Sequence, residues 1–253
     1  MRETLSSAET SPPTEGHTRP LFFSIIIPAY NEERYIGNTL THLAQADYPH
    51  EYFEVLIVEN GSSDRTREVV EQTALPHWHI LHVAQHGVSR AKNAGIEACA
   101  PEADWVIFLD ADTYALPGFL RELNDFLLAH REHDLTCGMV RLRPYPETLK
   151  ARAWYAFYNF ANRVTHTTRS IQIVRRDILR EVRFDEAPAF GEDTRLLSAC
   201  KRRGRYFYLP TDKVFSSTRR FEKRGWMRQL FTWIYLHFLP YELKKRASYP
   251  ALR

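Results

Sequence analysis

Two short acidic groups carry the sharpest chemistry in this chain. The first is Asp110-Ala111-Asp112, which closes the apolar run DWVIFLD (104–110). Two neighbouring carboxylates repel each other, and a divalent cation or a proton relieves the repulsion. Hard oxygen ligands select Mg2+ or Mn2+. The plainer alternative is a capping Asp beside a solvated one. The second group is Gly191-Glu192-Asp193, which opens GEDTRLLSACKRRG (191–204). Leu196, Leu197 and Cys200 share one helical face there, so Glu192 and Asp193 fall at a helix start. The helix dipole favours an ionised carboxylate at that end, and such a group can take a proton from a hydroxyl. Helix capping is the alternative reading.

The elements that must position these groups follow from periodicity. LFFSIII (21–27), halted by Pro28, FEVLIV (53–58), HWHILHV (77–83) and DWVIFLD read as strands. Helices are predicted over 34–46, over 65–74 with Asp64 or Ser63 as cap, and over 89–100 with Ser89 as cap. Apolar strands alternating with helices predict an α/β domain, Rossmann-like, with a mostly parallel sheet covered on both faces. Beyond 116 the pattern predicts a helix at 117–130 with Pro117 in its first turn, strands at 136–143 and 170–174, and an aromatic helix at 147–163. Helices at 175–181 and 192–203, strands at 205–209 and 213–216, and a final helix at 224–238 complete it. Ligands of open parallel sheets bind beyond the carboxyl ends of the strands. The first four strands exit into PAYNEE (28–33), ENGSSD (59–64), AQHGVSR (84–90) and the Asp110 group, all polar. Four polar exits converging on one edge describe a nucleotide site. A cation there would neutralise a leaving diphosphate.

Several segments, in order, resemble the family 2 glycosyltransferases, which have the glycosyltransferase-A fold: FSIIIPAYNEERYI (23–36), VLIVENGSSDRT (55–66), GVSRAKNAGI (87–96), FLDADT (108–113), IQIVRRDIL (171–179), FDEAPAFGEDTRLLSACKRRG (184–204) and STRRFEKRGW (217–226). The resemblance implies that Pro28, Ala29, Tyr30 and Glu32 meet the nucleoside, and that Glu59, with Asn60 beside it, accepts from the base. It places Arg90 and Lys92 near the donor, and Asp110, Ala111 and Asp112 at the ribose and metal. Asp193 becomes the catalytic base, supported by Glu192, and Arg219 and Arg220 lie near the diphosphate or acceptor. It implies Mn2+ or Mg2+ as cofactor, and a uridine- or guanosine-diphosphate sugar as donor. Inverting transfer to a saccharide or lipid-linked acceptor would be the reaction. The chain departs from the family's usual pattern at three places: Glu59-Asn60 stand where two aspartates are usual, Val182-Arg183 where two glycines are, and Ser216-Ser217 where a metal-binding His often follows the late strand. A nucleotidyltransferase would open with a Gly-rich basic loop, which PAYNEE is not. A silent nucleotide-sugar-binding or membrane assembly module is the competing class, and it would need no base.

Composition bounds the rest. The 253 residues are 44% hydrophobic and 26% charged, which excludes wholesale disorder. The net charge of +3 divides into −8 over residues 1–200 and +11 over residues 201–253. The basic end suits an anionic partner, and the acidic remainder excludes a general nucleic-acid binder. Cys99, Cys137 and Cys200 form neither a disulfide framework nor a metal pair, so a reducing, cytoplasmic setting is expected. Residues 1–20 read as a disordered tail without the apolar stretch of a signal peptide. The catalytic domain is expected over 21–223, with a nucleotide half (21–116) and an acceptor half (117–223). An amphipathic helix and basic tail occupy 224–253.

Trp154, with Tyr155, Phe157, Tyr158 and Phe160, either floors an acceptor site or packs the core. Trp226, Phe231, Trp233 and Phe238 beside Arg224 and Arg228 fit a helix lying in an anionic membrane interface, peripheral on the inner face of the cell membrane. A homodimer contact or burial against the domain is the alternative for this last helix. His77, His79 and His82 read as strand-face residues ahead of a metal cluster.

Overall fold

The structure, a computed structural model, describes residues 19–167, 170–187 and 191–238, without the side chains of 233, 234 and 236–238. The expected tail lies outside these residues save for 19 and 20, as does the basic segment 239–253. In chain order the elements are β1 (Phe23–Ala29), α1 (Ile36–Leu43), β2 (Phe53–Glu59), α2 (Thr66–Thr73), β3 (His79–His82), α3 (Val88–Ala98), β4 (Trp105–Leu109), β5 (Thr113–Ala115) and α4 (Phe119–Ala129). They continue with β6 (Leu135–Val140), β7 (Arg143–Tyr145), α5 (Leu149–Thr165), β8 (Ile171–Arg175), α6 (Glu192–Lys201), β9 (Arg205–Leu209), β10 (Val214–Ser217), α7 (Arg219–Arg224) and α8 (Trp226–Phe238).

The main sheet runs β3-β2-β1-β4-β8-β6-β9. Its β1, β2, β3 and β4 pair in parallel, as do β6 and β9, while β8 is antiparallel to both β4 and β6. The apolar runs are continuous because both faces are covered. Ile25, Ile27, Val55, Ile57 and Ile107 point into one core, and Ile26, Leu56, Val58, Val106 and Phe108 into the other. A second sheet, β5-β10-β7, sits beyond the end of β4. Its β10 is antiparallel to β5 and parallel to β7.

Differences from the sequence reading have local causes. Pro28 does not halt the first strand. It pairs with Val58 of β2, while the ladder to β4 has already ended at Ile26–Phe108, so no donor is needed on that side. Pro117 and Ser89 do not start their helices: left-handed Gly118 (φ 78°) precedes α4, and Gly87 precedes α3 with Ser89 buried inside it. Arg65 is the cap residue of α2, yet Asp64 Oδ1 still accepts from the Thr66 N–H at 3.0 Å. The strand expected at 136–143 divides into β6 and β7, which join different sheets, and the helix at 175–181 contracts to a single turn at Ile178–Arg180. The three-residue β5 and the six-residue α7 are too short for periodicity to reveal; Gly225 (φ 83°) separates α7 from α8.

Candidate functional site

The strand exits are fastened to one another before any ligand arrives. Asn60 N–H donates to Ala29 O at 3.0 Å. The loop after β1 then binds the loop after β2: Asn31 N–H reaches Ser62 Oγ (3.1 Å), Glu32 N–H reaches Thr66 Oγ1 (2.7 Å), and Ser63 N–H reaches Asn31 Oδ1 (2.8 Å). Asn31 adopts a left-handed conformation (φ 54°), one that Asn tolerates well. Pro28 and Ala29 are thereby held as the last residues of β1, and the Tyr30 ring lies tilted against that of His86, with centroids 3.8 Å apart.

Glu59 is buried at the end of β2. Its Oε1 accepts from the Ser62 N–H at 2.6 Å and its Oε2 lies 3.4 Å from His82 Nδ1. Burial works against the charge, but Ser62 and His82 outweigh it and hold the carboxyl below the usual glutamate range. Asn60 Oδ1 is buried without a hydrogen bond. His82 is thus a partner of Glu59 and His79 lies 3.8 Å from Glu54, which accounts for both as strand-edge residues.

Behind these exits lies a buried cation. Helix α3 sits so close to β1 that a Cβ on Gly95 would come within 2.5 Å of Ile26 Cγ2. That approach sinks Lys92, one turn earlier, until its side chain is only 2% exposed. Its Nζ donates to Asp193 Oδ1 at 2.8 Å and to Gln172 Oε1 at 3.1 Å, and lies 4.7 Å from the centroid of the Phe184 ring. Burial disfavours the ammonium, yet the charges of Asp193, Asp110 and Glu192 keep its pKa above that of an ordinary lysine. Left-handed Gly191 (φ 87°) turns the chain into α6, so Glu192 and Asp193 fall in its first turn, as the sequence predicts. Asp193 remains 20% exposed, so one carboxylate is at once anchored and reachable.

Asp110 and Asp112 line a cleft of about 40 Å³ together with Ser170, Ser216, Ser217 and Arg220, floored by the rings of Tyr155, Tyr158 and Phe221. Burial pushes the Asp110 carboxyl up to about 6, against the pull of Lys92. Arg219 reaches across from α7, donating from Nε to Asp112 Oδ2 at 2.7 Å and from Nη2 to Glu32 Oε1, with its guanidinium 4.2 Å from the centroid of the Tyr35 ring. Glu32 Oε2 is buried without a hydrogen bond, and burial raises this carboxyl to about 7 despite Arg219.

The oxygens of this cleft fit a hard divalent ion in part. Asp110 and Asp112 supply two carboxylates and Ser170, Ser216, Ser217, Tyr155 and Tyr158 supply hydroxyls, but Arg220 shares the cleft and Arg219 already occupies Asp112 Oδ2. Among the described residues no three His, Cys, Asp or Glu side chains converge as a metal cluster. Mg2+ commonly makes do with one or two carboxylates, completing its shell with water and substrate phosphate.

The remaining expected site residues are placed as follows. Ala111 is buried, and its carbonyl accepts from Thr39 Oγ1 at 2.7 Å, which ties the backbone between the two aspartates to α1. Arg90 lies 3.3 Å from Glu186 and also donates to His86 O. Trp154 packs against Trp226 and Phe221 and does not line the cleft; its α5 neighbours Tyr155 and Tyr158 do. Gln172, Ser170 and His86 escaped sequence reasoning as site residues. A lone amide within the apolar IQIVR of β8 is the signal that could have found Gln172.

Comparison with known proteins gives this geometry a family. The profile described as Glycosyl transferase family 2 matches residues 24–183, and the chain belongs to that family. A poly(ribitol-phosphate) beta-N-acetylglucosaminyltransferase, TarS of Staphylococcus aureus, is 28% identical over 180 residues, 68% of this chain and 31% of that protein. Glycosyltransferase AglE of Haloferax volcanii is 32% identical over 170 residues, 64% of this chain and 55% of that one. This chain therefore spans between about a third and about half of these relatives. In fold it is similar to the Staphylococcus aureus TarS 1–349 crystal structure in complex with UDP, with a TM-score of 0.63 at 22% identity over 78% of this chain and 60% of the other. It is also similar to a Pyrobaculum calidifontis mannosyltransferase in complex with GDP-Man and Mn2+, with a TM-score of 0.59 at 18% identity over 90% and 68% of the two chains.

Proposed function

We propose that this member of glycosyltransferase family 2 is an inverting enzyme that moves a sugar from a uridine- or guanosine-diphosphate sugar to a hydroxyl of a lipid-linked or envelope saccharide. The observation that carries the reading is the meeting of Asp193 with the strand-end carboxylates through Lys92. A pure binding module has no need of an anchored, reachable acid beside its nucleotide site. Relatives named as undecaprenyl-phosphate 4-deoxy-4-formamido-L-arabinose transferases support the lipid-linked acceptor, and the neighbours bound to UDP and to GDP-Man support the donor class.

In this reading the nucleoside lies over Ala29, Tyr30 and Glu59. The adjoining rings of Tyr30 and His86 offer an aromatic surface for the base. Lys92 fixes Asp193 through Oδ1, and the other carboxylate oxygen takes the proton of the acceptor hydroxyl while the hydroxyl oxygen attacks the anomeric carbon from the side opposite the nucleoside diphosphate, which leaves with the bonding electron pair. One displacement inverts the configuration. Arg219 and Arg220 lie where they can take up negative charge developing on the leaving diphosphate. A divalent ion, Mn2+ or Mg2+, held by Asp110 and Asp112 would supply further charge neutralisation there. Helix α8 is the element that would rest on the inner face of the membrane; among the described residues no helix is long and apolar enough to cross one.

The test is a panel of uridine-, guanosine- and thymidine-diphosphate sugars with Mn2+, read by calorimetry for binding and by proton NMR for the anomeric configuration of the product. Binding and turnover of one donor with inversion is expected. Retention of configuration, or binding with neither hydrolysis nor transfer for any donor, rejects the assignment.

A further inference from the structure

Seven of the nine large apolar side chains exposed among the described residues lie on two helices of the second half. On α5 they are Leu149 (85% exposed), Phe157, Phe160 and Val164, and on α8 they are Met227, Phe231 and Tyr235. At about 100° per residue the α5 positions, with Ala153 and Ala156 between them, fall within roughly 100° of arc. Arg152 and Arg163 flank this stripe on one side and Lys150 on the other, all three exposed. The buried positions Ala151, Tyr155, Tyr158 and Asn162 point the opposite way. Helix α5 is therefore apolar on two faces, and among the described residues only one of them is covered. Met227, Phe231 and Tyr235 recur every four residues and form a matching stripe on α8. The two helices meet through Trp154 and Trp226, whose ring centroids are 5.5 Å apart, with Lys150 Nζ 5.2 Å from the Trp226 ring.

Charge identifies the occupant. Neither α5 nor α8 contains an Asp or Glu, and the cations beside the stripes, Lys150, Arg152, Arg163 and Arg228, are all of one sign. A surface shared with a second folded copy would set these cations against each other, whereas an anionic bilayer accepts the rings and aliphatic side chains at its headgroup level and the cations at its phosphates. We propose that the outer faces of α5 and α8 together form a docking surface for an anionic lipid bilayer. The inference rests on the lipid-linked acceptor of the proposed function and extends it: α5 separates bilayer from cleft, with its inner rings Tyr155 and Tyr158 in the cleft wall. A headgroup at the bilayer surface then lies about one helix diameter, roughly 10 Å, from Asp110 and Asp112.

The experiment is flotation of the full chain with vesicles of phosphatidylcholine, with or without about a third of phosphatidylglycerol. Expected is binding to the anionic vesicles only, weakened by salt, and lowered roughly tenfold or more by Phe157→Ser with Phe160→Ser. Neither residue belongs to the nucleotide site, so calorimetric donor binding should remain at the wild-type level. Because Cys99, Cys137 and Cys200 are all buried, Phe160→Cys can be labelled with an environment-sensitive fluorophore, which should shift to the blue on anionic vesicles. That readout serves if the double variant fails to fold. The proposal is overturned if the wild type ignores anionic vesicles, if the double variant binds them like wild type, if the label does not respond, or if light scattering shows a dimer that the double variant dissolves. Vesicle binding without sugar transfer from any donor would reject the enzymatic reading and leave the surface standing; transfer to a water-soluble acceptor without vesicle binding would do the reverse.

Discussion

Two cations tie the part of the chain before residue 117 to the part after it, and they do so in opposite ways. Lys92 comes from the first half and is sunk in the protein, with fixed partners in Asp193 and Gln172 of the second. Arg219 comes from the second half and lies at the cleft, forked between Glu32 and Asp112 of the first. An ammonium on a buried stem is a compact charge that holds one carboxylate oxygen, while a planar guanidinium can grip two carboxylates and still turn its face to the Tyr35 ring. The difference teaches a division of labour. Under the proposed function, the buried pair would position the reacting carboxylate, and the cleft pair would balance charges whose partners change when a diphosphate enters.

The largest expected effect tests the first arm of that comparison. Asp193→Asn keeps the shape and removes the proton acceptor, so turnover should fall roughly 100- to 10,000-fold with donor affinity near wild type. A capping role predicts instead a lower melting temperature with turnover kept in the folded fraction. Should Glu192→Gln abolish transfer and Asp193→Asn spare it, the base lies one residue earlier.

Next in size is the structural cost of the buried pair. Lys92→Met strands Asp193 and Asp110 without their cation, and denaturant titration should show a loss of about 3–5 kcal/mol. Adding Asp193→Asn should recover part of it. A loss under about 1 kcal/mol would show that the pair is not buried in the working protein.

At the cleft, two substitutions should move Mn2+ affinity in opposite directions. Asp112→Asn removes the proposed ligand and should weaken binding on the order of tenfold. Arg219→Met removes a competing positive charge and should tighten it by a smaller factor. Calorimetric Mn2+ titrations that shift the same way in both variants would contradict the proposed sharing of Asp112.

The smallest effect is the pH dependence of Glu32. Its carboxyl is raised from 4.5 to about 7 in the folded chain, so its protonated form is the one the fold prefers. The associated stability is present below about pH 4.5 and is lost as the pH climbs through about 7. Glu32→Gln cannot titrate. Its melting temperature should match wild type near pH 4 and exceed it by pH 8, by roughly 2–4 °C for each kcal/mol involved. A constant offset across that range would show that Glu32 does not carry the shift.

Much of this site is legible in the linear chain, for reasons that differ by residue. Asp110, Asp112 and Glu59 are readable because continuous apolar runs such as WVIFL and FEVLIV must be buried strands, and the polar residues that end them must stand at the sheet edge. Glu192 and Asp193 are readable because Leu196, Leu197 and Cys200 define a helix whose first turn they occupy. Trp154 misleads because composition names the aromatic helix without saying which ring faces the cleft. That choice depends on packing of Trp154 against Trp226, far away in sequence.

Local chemistry by itself therefore determined the alternating strands and helices, the polar strand exits and the two acidic groups, because each depends on residues within a few positions of one another. Only the tertiary structure decided which charges meet. Lys92 and Asp193 are 101 residues apart, Asp112 and Arg219 107, and Glu32 and Arg219 187. No periodicity spans such distances. Those contacts arise when α3 closes onto β1 at Gly95, when β8 enters the sheet antiparallel with Gln172 facing Lys92, and when β10 crosses to β5 and delivers α7 to the cleft. Burial then does what sequence cannot: it makes an ordinary lysine a fixed counter-charge and raises two ordinary carboxyls toward neutrality, because a charge removed from water must find a partner or a proton.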